Sequence, residues 1–114
     1  MAKRQKMITE KIKKDTPLYG ATAQLPMEEQ TVTAKFFDPT GSFTWYLIEM
    51  DEEQDLSFGF VTSEFEPKGE FGPFSIRELK AIKLPYGLYI ERDKNFKPMN
   101  LKELYDKVQD GVHV

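Results

Sequence analysis

Cysteine is absent from the 114 residues, which removes disulfide frameworks, thiolate metal sites and cysteine nucleophiles together. Histidine occurs once, as His113, in a tail expected to fray, so it receives no catalytic role. No serine or threonine stands in a G-x-S-x-G or S-x-x-K setting, and Gly69 and Gly72 lack both P-loop and dinucleotide spacing. No apolar run approaches the ~20 residues of a membrane helix. The basic start has no apolar stretch after it and is not a secretory signal. These absences lead us to expect a cytoplasmic protein that needs no cofactor and engages no membrane.

Aromatics are plentiful: nine Phe, five Tyr and one Trp can supply most of a core. A chain of this length fits one domain, residues 1–114, and buries roughly two thirds of its unfolded surface without staples. The net charge of −3 is unevenly spread. Residues 1–14 carry +5 and read as a basic helical arm, while residues 49–70 carry −7. Each can attract a partner of opposite sign, or serve as solvated surface.

The strongest β signal is residues 43–51, which hold the only tryptophan and run into the densest acidic patch. Regular alternation would put Trp45, Leu47, Glu49 and Asp51 on one face and Tyr46, Ile48 and Met50 on the other. Residues 31–37 alternate as a preceding strand. Between the two, Asp38-Pro39-Thr40-Gly41 has type I turn preferences, so a hairpin is expected. Residues 56–62 make a third strand, with Gly59 marking a bulge or a close backbone approach. Residues 70–74 make a fourth, which Pro73 confines to an edge or a bulge. Ser75 opens a short helix to about residue 83 with a capping box. Residues 88–92 read as a fifth strand. Asn100 caps a last helix over 99–110, in which Leu101, Leu104, Tyr105 and Val108 share a face and Gly111 closes the end. The fold class is therefore α+β: a meander of four to five antiparallel strands, with helices at its ends and on one face.

The ordered segments KFFDPTGSFTWYLIEMD, FGFV, GEFGPFSIREL, LYIERDKNFKP and LKELY resemble a bacterial family of small proteins of unknown function. Its marks are W-Y-x-x-E-x-D and E-R-D, and it is encoded often on plasmids, phages and conjugative elements. The resemblance implies a setting, that of mobile-element accessory proteins, and no activity.

The candidate binding residues are Trp45, Tyr46, Glu49, Asp51, Glu52, Glu53, Glu91, Arg92 and Asp93. The acidic set 49–55 offers hard oxygen ligands yet lacks a calcium-loop pattern. Glu49 and Asp51, read as sharing a face with Trp45, can act as base or ligands, or can pair with Arg92. A lone tryptophan in an apolar strand is expected to be largely buried. Without catalytic spacing, the leading expectation is a non-enzymatic module that binds a protein partner. The alternative is a metal-assisted hydrolase acting through Glu49 and Asp51. A third reading is an acidic nucleic-acid mimic; nucleic-acid binding itself is disfavoured, because the charge beside the aromatics is negative.

Overall fold

The computed structural model describes residues 5–114. A five-stranded antiparallel sheet runs in the order β5-β4-β3-β2-β6. Its strands are β2 (Ala34–Phe37), β3 (Thr44–Met50), β4 (Ser57–Thr62), β5 (Glu70–Phe74) and β6 (Glu91–Arg92). From β2 to β5 it is the expected meander. β6 then crosses back to pair with β2, through Phe36 with Arg92 and Phe37 with Glu91. A second, two-stranded sheet joins β1 (Thr31–Val32) to β7 (Met99–Asn100). The single strand expected over 31–37 is thus split at Thr33, whose hydroxyl lies 2.7 Å from that of Thr16.

Local chemistry sets the connections. Asp38 accepts from the Thr40 amide and hydroxyl, and Gly41 N–H donates to the Asp38 carbonyl, so the hairpin closes as its residues dictate. Gly59 faces Leu47 and Gly72 on its two neighbours, and a Cβ there would collide with the Tyr46 carbonyl. The close approach is real, and the bulge lies on the facing strand. Between Leu47 and Glu49 the register slips, so that Ile48 and Glu49 together oppose Phe58. Pro73 sits in β5 at the sheet edge, where a missing donor costs least.

Among the described residues, three α-helices flank the sheet. α1 (Glu10–Asp15) starts at Thr9, whose hydroxyl accepts from Ile12 N. The helix expected over 1–14 is therefore short: residues 5–9 are irregular, and 1–4 lie outside the described residues. α2 (Ile76–Ala81) is capped by Ser75, and α3 (Leu101–Gln109) by Asn100, which accepts from the amides of Lys102 and Glu103. After α3, Gly111 takes φ +79. Gly111 N–H then donates to Val108 O, and Val112 N–H to Lys107 O, which turns the chain back towards the sheet.

Both faces of the sheet are covered, not one. Met7, Ile8, Phe36, Leu47, Met50, Ile76, Leu79 and Ile90 pack on one side. Tyr46, Ile48 and Phe60 pack on the other, against Leu101, Leu104 and Val108 of α3. The expected apolar stripe of α3 is the buried one, with Tyr105 at its margin.

Candidate functional site

Glu49 and Asp51 were expected beside Trp45, and the bulge in β3 undoes that. One extra residue reverses the side-chain parity beyond Leu47. Met50 joins the α1/α2 side, and Glu49, opposite Phe58, turns to the α3 side. There it is 3 % exposed. Its Oε1 accepts from Gly20 N–H at 2.7 Å, and its Oε2 from the Thr22 amide and hydroxyl. Burial pushes this carboxyl up, but the three hydrogen bonds outweigh it and hold the group below its ordinary 4.5. Both oxygens are committed to the loop ahead of β1. Asp51 is equally occupied: its carboxylate accepts from Asp55 and Leu56 amides and closes the β3–β4 turn. Glu52 and Glu53 lie in that turn, exposed.

Arg92 is not opposite these carboxylates. It pairs with Phe36, which pairs in turn with Trp45, four residues along β3 from Glu49. That separation is roughly 13 Å at the rise of a strand. Its Nε donates to Lys6 O at 3.1 Å, and the Gln5 side chain bonds its backbone on both sides, to N–H and to C=O. Gln5 thereby occupies the outer edge of β6 as a neighbouring strand would.

The groups that the fold does gather lie at the Trp45 end of the sheet. A cavity of about 880 Å³ opens there, lined by Lys35, Phe43, Tyr46, Glu91, Arg92, Asp93 and the segment 111–114, among others. Four of the nine expected residues therefore meet: Tyr46, Glu91, Arg92 and Asp93. Lys35 and Tyr46 stand directly opposite each other on β2 and β3. The Lys35 ammonium lies 3.5 Å from the Asp93 carboxylate and donates to Val114 O at 2.7 Å. The Tyr46 hydroxyl donates to the same oxygen at 2.9 Å. Burial, reinforced by the Asp93 charge, pushes the Tyr46 phenol up to about 12, so the O–H remains a donor at any physiological pH.

An aromatic cluster adjoins this cavity through Phe43. Phe43 stacks on Trp45 with centroids 5.8 Å apart and approaches Phe65 at 6.4 Å. Trp45 is partly buried, packed against the α1/α2-side cluster and stacked on Phe43, a ring that itself faces solvent. Phe65 is 75 % exposed. Sequence reasoning missed Lys35, Phe43 and Phe65. None of the three left a signal: by alternation Lys35 falls with Thr31 and Thr33, away from the apolar Val32, Ala34 and Phe36, on the side the pattern exposes.

Fold and site together define a small α+β domain with a polar cavity at one end of its sheet, which an aromatic cluster adjoins through Phe43. The chain belongs to the DUF2958 family of proteins of unknown function, whose model matches residues 4–110. No curated protein and no solved structure matches it. No helix among the described residues is long and apolar enough to cross a membrane.

Proposed function

We propose that the protein is a non-enzymatic binding module that docks a protein partner at the Trp45 end of the sheet. One observation carries this reading: Phe43, Trp45 and Phe65 form a partly exposed aromatic cluster continuous, through Phe43, with a polar cavity. Aromatic anchors beside a recess are the arrangement from which interfaces draw most of their energy. A ring as exposed as Phe65 contributes little to folding. The carboxylates that a metal-assisted hydrolase would use are held by backbone amides at the other end of β3. Its motif resemblance supports a mobile-element accessory role, with a cytoplasmic partner from the host or the element.

The test is affinity capture from a bacterial host. A partner should be retained by the wild type and lost with Phe65→Ala and Phe43→Ala. Tyr86→Asn is the control, because Tyr86 is 95 % exposed and belongs to no ring cluster of the site. Equal retention by all four proteins, or no partner above background, would sink the reading. Melting temperatures unchanged by Phe65→Ala exclude unfolding as the cause of a loss.

A further inference from the structure

A second cavity, of about 500 Å³, lies at the Glu49 end of β3. Its walls are Tyr19, Leu25 and Met27 of the segment ahead of β1, Phe58 of β4, Phe71 of β5 and Leu101 at the start of α3. That volume falls within the roughly 300–1,000 Å³ of small-molecule sites. The lining is mainly apolar, and Tyr19, Leu25 and Phe71 are all exposed. Large apolar side chains left uncovered around one recess mark a binding groove more often than a scaffold. The Phe58 and Phe71 rings lie nearly parallel, at 11° with centroids 6.3 Å apart, and a further planar ring can pack on such a pair. The recess is also preformed. Glu49 anchors Gly20 and Thr22, the Gln30 side chain donates to Leu25 O, and Leu25 N–H donates to Thr22 O.

One charged side chain, Glu49, enters this lining among the described residues. Its compensating partners there are neutral donors: the Gly20 amide, the Thr22 amide and the Thr22 hydroxyl. They satisfy hydrogen bonding and leave the negative charge itself unneutralised. Two carboxylate oxygens offer about four acceptor positions, so one remains open on Oε1. A carboxyl held below its ordinary 4.5 is ionised at neutral pH. An anion set in an apolar recess discriminates between ligand charges more strongly than one in water. We propose that this cavity binds a small aromatic amine, with its ring against Phe58 and Phe71 and its protonated nitrogen directed to Glu49. The aromatic walls add to the preference for a cation. The site lies at the opposite end of β3 from Phe43, Trp45 and Phe65, and is independent of a protein docked there.

The probes are three indoles of similar size and different charge at neutral pH: tryptamine, a cation; tryptophol, neutral; and indole-3-acetate, an anion. Each is titrated into the full chain and followed by NMR. Tryptamine should bind with a Kd of about 1 mM or tighter and shift the signals of Tyr19, Phe58 and Phe71. Tryptophol should bind about tenfold more weakly, as loss of a charge-assisted hydrogen bond predicts, and indole-3-acetate more weakly still. Glu49→Gln keeps the size of the side chain and removes its charge, and should bring the three probes within about threefold of one another. Glu10→Gln removes an exposed acid of α1 and should leave their order unchanged, which separates the site from the attraction of the net charge of −3. If Glu49→Gln does not fold, Leu25→Arg replaces it: a cation at this exposed wall position should reverse the preference between tryptamine and indole-3-acetate. No tryptamine shifts at the cavity residues, equal binding of tryptamine and tryptophol by wild type, or a cation preference untouched by the Glu49 or Leu25 variant overturns the proposal.

Discussion

The two ends of β3 each bury a charge on the same face of the sheet, and they treat it oppositely. At one end Glu49 is wrapped by residues 16–22: Gly20 and Thr22 donate to it, and Met50 N–H donates to Pro17 O beside it. At the other end Lys35 lies under an open cavity, beside Asp93 and beneath a tail oxygen. Backbone amides of a loop that is itself pinned to the strand cannot leave without local unfolding. The lesson is that burial alone does not separate scaffold from site: both Glu49 oxygens are held by a loop, whereas Lys35 borders an open cavity.

The largest effect should come from the closed end. Glu49→Leu leaves the Gly20 and Thr22 donors without their acceptor and should cost about 3–5 kcal/mol in urea denaturation. A cost under about 1 kcal/mol would show that the loop is not anchored there, and the contrast would collapse. Trp45→Ala should cost about 2 kcal/mol, less than a fully enclosed tryptophan would, because the ring is partly buried. A loss above about 4 kcal/mol would assign Trp45 to the scaffold.

The pH dependence sharpens the same comparison. Glu49 titrates below its ordinary 4.5 in the folded protein, so its contribution is fully present above that pH. It is lost as pH falls through the folded value. Stability followed from pH 6 to pH 3 should therefore fall less steeply in Glu49→Gln than in wild type, and parallel curves would contradict the clamp. The smallest effect is expected at Lys35. A double-mutant cycle of Lys35→Met with Asp93→Asn should give a coupling below about 1 kcal/mol, since Asp93 keeps access to water and the pair borders an open cavity. A coupling above about 2 kcal/mol would make the pair a fixed part of the core.

Much of the scaffold was legible because it follows local rules. The Asp38 turn, the Ser75 and Asn100 caps, the stripe of α3, the edge position of Pro73 and the close approach at Gly59 each depend on a few neighbouring residues. The candidate site was half legible. Tyr46, Glu91, Arg92 and Asp93 meet at the cavity, whereas Glu49, Asp51, Glu52 and Glu53 lie at the far end of the strand. Alternation predicted a face for Glu49 that a single inserted residue reversed, and nothing in residues 43–51 announces the insertion. The bulge is matched to partners outside the strand: Phe58 across the ladder, and donors 27 and 29 residues upstream.

By itself, the sequence determined the class, the central meander and the helix caps, because periodicity and capping are properties of adjacent residues. Tertiary structure decided which charges are scaffold and which are available. β6 crosses to β2 and carries Asp93 to Lys35, Gln5 closes the outer edge at Arg92, and the turn at Gly111 returns Val114 to Tyr46. Those contacts join residues 58 to 87 positions apart. At such separations no local preference acts, and only the packing of the whole sheet determines which side chains meet.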